Sequence, residues 1–142
     1  MILPDVNVLV YAFREDTPGH AGYREWLRSR VSAQEAFGLS ELVLSGTLRV
    51  LTHPRVLDPP TPLDRALEFV EALRAQPNAV LIQPASRHWE IFRRLCRLAG
   101  AKGNLVADAY HAALAIEHGC EWITTDRDFA RFPGLRWRHP LD

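Results

Sequence analysis

Four carboxylates in this sequence stand where hydrolytic chemistry would need them. Asp5 ends the apolar run Ile2–Pro4, Glu41 follows Ser40 after the run Ala36–Leu39, and Asp126 comes just after Trp122–Thr124. Asp108 is different: it lies within a helical pattern of about Leu105–Glu117 and shares a stripe with Leu105, Ala112 and Ala115. Two carboxylates about 5 Å apart repel by roughly 3 kcal/mol at an effective dielectric of 20. A cluster of four must therefore take up protons or bind a divalent cation. An all-oxygen ligand set suits Mg²⁺ or Mn²⁺ over Zn²⁺, and the six histidines make no zinc-type pair. Such a cage at a strand-end cleft suits phosphodiester hydrolysis, where a divalent ion activates water and stabilises the leaving oxygen.

Each acid also has an ordinary reading. Asp5 serves equally as the cap of the helix that follows it. Glu41 fits a first-turn acid favoured by the helix dipole. Thr125 and Asp128 fit a capping box, leaving Asp126 as a first-turn acid. His111, three residues after Asp108, is a possible partner for it. Residue by residue these alternatives stay open. The four acids together, each at a convergent place, favour a cluster.

The elements that would position them are legible in outline. Short apolar runs at Ile2–Pro4, Ala36–Leu39, Val80–Ile82, Trp122–Thr124 and Arg136–Trp137 alternate with helical segments. Helices are expected over Val6–Phe13, from a Thr17-Pro18 cap to about Arg30, and over Glu41–Thr52. Further helices are expected from Thr61-Pro62 to about Ala75, from Ser86 to about Ala99, and over Leu105–Glu117. Runs without polar alternation, separated by helices, predict parallel strands covered on both faces. The fold class is α/β: a three-layer α/β/α sandwich around a mostly parallel five-stranded sheet. In such sheets ligands bind beyond the carboxyl ends of the strands.

Length and composition agree with one domain, 1–142, of ordinary globular make-up. Cys96 and Cys120 form no metal-type pair and no disulfide framework, which suits a reducing cytoplasm. No stretch approaches the roughly 20 apolar residues that span a bilayer, and the N-terminus lacks a signal-peptide pattern. Lys+Arg and Asp+Glu are 17 each, so attraction to a polyanion must come from a local basic face.

The set Asp5-Val6-Asn7, Ser40-Glu41-Leu42, Asp108-Ala109 and Thr124-Thr125-Asp126-Arg127-Asp128-Phe129 resembles the PIN-domain ribonucleases. In size the chain looks like the VapC-type toxins of bacterial toxin–antitoxin pairs. The resemblance covers nearly the whole chain. It implies a parallel sheet between helices and an acidic cluster of Asp5, Glu41, Asp108 and Asp126 that binds Mg²⁺ or Mn²⁺ and hydrolyses RNA. It also implies auxiliary roles for Asn7, Thr125 and Asp128, a homodimer, and a small cognate antitoxin protein that blocks the site. Val6 departs from the family, many of whose members carry Ser or Thr directly after the first Asp; Asn7 is the candidate to take over.

The basic residues Arg87, Arg93, Arg94, Arg97 and Lys102 oppose Glu90 alone in the segment leading to Asp108. Arg127, Arg131, Arg136 and Arg138 form a second group beside Asp126. Arg94, Arg97, Lys102 and Arg127 are the candidate RNA contacts, against the ordinary reading of a solvated face. Trp26, Trp89, Trp122 and Trp137 read as core, with Trp89, Phe92, Cys96 and Ala99 as the apolar side of their helix. Gly103-Asn104 breaks the chain before the Asp108 helix and reads as a mobile rim. Two other functions fit less well: a phosphoryl-accepting domain with Asp5 as nucleophile and Lys102 as clamp, or a non-catalytic PIN-like binding module.

Overall fold

The computed structural model describes residues 1–142. In chain order the elements are β1 (Ile2–Pro4), α1 (Val6–Phe13), α2 (His20–Val31), β2 (Phe37–Leu39), α3 (Glu41–Leu51) and α4 (Leu63–Arg74). These are followed by β3 (Ala79–Leu81), α5 (His88–Ala99), α6 (Asn104–Glu117), β4 (Glu121–Ile123) and β5 (Trp137–Arg138). A 3₁₀ turn, Arg127–Arg131, lies between the last two strands. The strands form one sheet in the order β3-β2-β1-β4-β5, and every pairing is parallel.

Register decides where the acids go. Ile2 is level with both Phe37 and Glu121, and Pro4 with Ile123. The carboxyl ends of β1, β2 and β4 therefore share one edge. Asp5, Ser40-Glu41 and Thr124–Asp126 all follow immediately beyond it. The chain builds β1, β2 and β3 in one direction, then returns to place β4 on the other side of β1. The strand order reverses between β1 and β4, and an open parallel sheet has its crevice at such a reversal. The Asp5 amide donates to the Ile123 carbonyl at 2.8 Å, extending the ladder up to the crevice.

One core holds the layers together. Leu3, Phe37, Leu39, Trp122 and Ile123 of the sheet are buried with Val8 and Leu9 of α1 and Leu95 of α5. Ala109, Ala112, Ala113 and Ala115 of α6 are fully buried. Their small side chains let that helix lie close to its neighbours. Close approach also fixes α3: a Cβ on Gly46 would stand 2.9 Å from Val6 Cγ2. The valine after Asp5 thus packs against α3. No helix is long and apolar enough to cross a membrane.

Several local expectations are corrected. The helix after Thr17-Pro18 begins at His20, on a left-handed Gly19. Thr61 is buried and its hydroxyl accepts a 3.3 Å bond from Arg14 Nη1, so it does not cap α4, which starts at Leu63. Ser86 does not cap α5. The Glu117 carboxylate of α6 accepts from the Ala85 and Arg87 amides at 2.7 and 2.9 Å instead, a contact between helices that local sequence cannot reveal. The fifth strand is Trp137–Arg138, one residue later than expected. The buried side of α5 is His88, Ile91 and Leu95, and Trp89 is exposed.

Candidate active site

Asp5 is 7% exposed at the N-cap of α1. Its Oδ1 accepts from the Val6 amide, and its Oδ2 accepts from the Thr124 hydroxyl at 2.7 Å and from Asn7 Nδ2 at 3.0 Å. The ordinary reading of Asp5 as a helix cap and the functional one hold together. Burial pushes its carboxyl up to about 6, partly offset by those donors, and the charge of Asp126 adds to the rise.

Thr124 is the residue that sequence reasoning missed. It is fully buried. Its hydroxyl donates to Asp5 and accepts from Asn7 Nδ2 at 3.2 Å and from the Asp126 amide at 3.0 Å. One oxygen therefore ties the end of β1 to the loop after β4. The pair Thr124-Thr125 signals a hydroxyl here, but only β-strand alternation could say which of the two turns inward. Thr125 contributes its backbone amide, which donates to Asn7 Oδ1 at 3.2 Å. Asn7 thus bridges both threonines and Asp5, as the departure at Val6 anticipates. Replacing Thr124 by Val should lower activity about 10–100-fold, the usual effect of removing a group that orients a ligand. Thr124→Ser should restore most of it. Steady-state cleavage rates of the three proteins check this.

Asp126 caps the 3₁₀ turn, its Oδ1 accepting from the Asp128 amide at 2.9 Å. The expected Thr125–Asp128 capping box is therefore replaced by Asp126 itself. Asp128 is exposed, its carboxylate 3.9 Å from Arg131. Asp108, on the second turn of α6, is partly buried and accepts no hydrogen bond from the protein. Burial first, then the charges of Asp126, Asp5 and Asp128, push its carboxyl up to about 6. His111 is not its partner. That ring stacks on Trp122 with centroids 5.3 Å apart, its Nδ1 is buried without a hydrogen bond, and burial lowers its pKa to about 4.

The structure thus brings Asp5, Asp108, Asp126 and Asp128 into one electrostatic group. Glu41 stands apart from it. Its carboxylate accepts from Gln83 Nε2 at 3.2 Å and lies 3.8 Å from Arg74, and it is not among the charges acting on Asp5 or Asp108. No three His, Cys, Asp or Glu side chains lie within joint reach of one cation in their present rotamers. Mg²⁺ commonly uses only one or two carboxylates and keeps several waters, so the group fits it in charge and in donor chemistry. Arg94, Arg97, Lys102 and Arg127 are exposed and carry no ion pair. Arg136 and Arg138 are engaged within the fold, by the Gly119 carbonyl and by Glu121.

A parallel sheet with this strand order, and aspartates at the β1/β4 crevice, define a class, and the chain belongs to it: the PIN-domain family, whose model matches residues 2–135. Its relatives include ribonuclease VapC43 of Mycobacterium tuberculosis, 48% identical over 142 residues, spanning 100% of this chain and 97% of that protein. Ribonuclease VapC25 of the same species is 41% identical over 140 residues, 99% of each. Among solved structures, the fold matches VapBC-1 of nontypeable Haemophilus influenzae with a TM-score of 0.71 at 16% identity, over the whole of both chains. It also matches VapBC2 of Rickettsia felis bound to a promoter DNA fragment, with a TM-score of 0.69 at 17% identity over 98% of each chain. A third match is M. tuberculosis VapC20, described as a sarcin-ricin loop cleaving toxin, with a TM-score of 0.67 at 18% identity over 96% of this chain and 99% of that one.

Proposed function

We propose that this chain is an endoribonuclease, the toxin of a type II toxin–antitoxin pair, that hydrolyses RNA phosphodiester bonds with Mg²⁺, or Mn²⁺ in its place. The observation that supports the reading is the position of Asp5 and Asp126 beyond β1 and β4 at the strand-order reversal, with Asp108 near enough to feel the charges of both, its carboxyl raised first by burial and then by those charges. When bound, the divalent ion supplies Lewis acidity toward the phosphoryl oxygens and lowers the pKa of water.

The chain's own residues do the rest. Asp5 is held rigid by three donors and offers a fixed oxygen edge. The Asp126 backbone amide is tied to the same Thr124 hydroxyl that donates to Asp5. Asp108 has no protein donor, so its oxygens are free to hold the ion or to steer the attacking water in line with the scissile bond. Glu41, at the end of β2, would join the ligand set only on leaving Gln83 and Arg74. Asp128 adds negative charge at the rim. Arg94, Arg97, Lys102 and Arg127 neutralise flanking phosphates. A phosphoryl-accepting role for Asp5 fits less well, because both of its oxygens are already engaged as acceptors.

The expected partners are a cognate antitoxin protein, a reading supported by the likeness to VapBC complexes, and a second copy of the chain, which the family resemblance alone implies. The setting is the bacterial cytoplasm. Incubating the purified protein with labelled RNA and Mg²⁺ or Mn²⁺ tests the reading. Fragments with 5′-phosphate and 3′-hydroxyl ends, absent when a chelator is added, are the expected result. Fragments ending in 2′,3′-cyclic phosphate, or cleavage indifferent to chelator, would sink it.

A further inference from the structure

Trp89 fits the core by sequence pattern, yet it is 62% exposed. It opens the outward face of α5. Arg93 and Arg97 follow it at intervals of four, with Arg94 beside them, and all are exposed. The step from Trp89 to Arg97 covers about 12 Å of helix axis. Lys102 continues the line toward α6. None of these cations makes an ion pair, and Glu90 is the only acid on the helix. The indole does not hang free. Its ring lies 5.3 Å from that of Phe92, which lies 5.5 Å from Tyr110, two residues beyond Asp108. A ladder of rings thus supports Trp89 from beneath and leaves its outer face open.

We infer that Trp89 is a base-stacking platform for an RNA strand whose phosphates run along Arg93, Arg97 and Lys102 toward Asp108. This rests on the ribonuclease reading and adds a residue that sets how the strand is held. An exposed aromatic among unpaired cations is the pattern by which proteins hold single strands, the ring taking a base and the cations the backbone. A second copy of this chain is the competing occupant. A two-fold contact through this face would bring the same unpaired arginines against one another, with one glutamate per copy to offset them. A polyanion satisfies ring and cations together.

The test uses Asp108→Asn protein, so that the strand is bound and not cut, and an unstructured, fluorescein-labelled oligoribonucleotide of about 12 nucleotides. In fluorescence anisotropy, Trp89→Ala should weaken binding about 5- to 100-fold, and Trp89→Phe should retain most of the affinity. The salt dependence should be unchanged by Trp89→Ala and shallower by about one in slope for Arg97→Ala. The side chain is exposed, so neither Trp89 variant should lose the fold. Unchanged affinity in Trp89→Ala would overturn the proposal. So would sedimentation showing that Trp89→Ala separates two copies while RNA affinity holds. If the unsubstituted protein cuts no RNA but binding still depends on Trp89, the ribonuclease reading falls and the platform stands. If it cuts RNA and Trp89→Ala binds and cuts equally well, the platform falls alone.

Discussion

Asp108→Asn should lower RNA cleavage on the order of 10³-fold while leaving the fold intact. The substitution keeps the shape of the side chain and removes only its charge. No protein hydrogen bond is lost, since the structure gives Asp108 none. What disappears is an anionic oxygen that the proposed mechanism uses to hold a cation or align water. In the metal-free protein the same change removes repulsion. Asp108 is disfavoured as a carboxylate by burial and by the charges of Asp126, Asp5 and Asp128. Its asparagine variant should therefore melt no lower than the parent at pH 7.5. Loss of activity with a preserved or raised melting temperature marks a residue kept for chemistry against stability. Full Mg²⁺-dependent cleavage by Asp108→Asn would remove this residue from the site, and a large drop in melting temperature would make it structural.

The second large effect is a coupling of stability to pH and to divalent ions. Asp5 and Asp108 each bind a proton more tightly in the folded chain, near pH 6, than in the unfolded chain, near pH 4. Between those values the folded state holds more protons, so stability falls as pH rises. The stabilisation is fully present below about pH 4 and is gone once pH passes about 6. For Asp5, a gap of about two pH units corresponds to about 3 kcal/mol. The partly exposed Asp108 adds less, because water screens it. Other groups titrate in the same range, so the measurement is the difference in unfolding free energy between the parent and the double variant Asp5→Asn, Asp108→Asn. That difference should shift toward the parent on acidification, with an offset at every pH set by the hydrogen bonds Asp5 accepts from Val6, Asn7 and Thr124. Saturating Mg²⁺ should likewise favour the parent. At a concentration about 100 times its Kd it stabilises by about 2.7 kcal/mol, or roughly 5–10 °C in Tm for a chain of this size. The double variant should gain almost nothing. An equal Mg²⁺ effect on both proteins would place the ion elsewhere.

Sequence by itself determined the architecture and the acids. Apolar runs without alternation, separated by amphipathic segments, require a sheet covered on both sides. That requirement sends each strand-end acid to one edge. Asp5, Asp126 and the helical Asp108 were legible as candidates only together, because each alone also fits a cap, a first-turn acid or a paired carboxylate, whereas the predicted strand ends and alanine stripe bring all three toward one edge.

Tertiary structure alone decided the rest, for one physical reason: contacts between distant segments are not encoded in local spacing. Thr124 rather than the Thr125 side chain carries the network because the chain just beyond β4 buries the first completely and the second only in part. Glu117 caps α5 from another helix, so Ser86 is not needed there. His111 is taken up by Trp122 and leaves Asp108 free of a partner. Trp89 lies outside because α5 turns His88, Ile91 and Leu95 toward the core, a rotation that periodicity constrains only to within one neighbour. The sheet's strand order, which sets Asp5 of the first strand beside Asp126 of the fourth, comes from the packing of whole layers and from no stretch of residues taken singly.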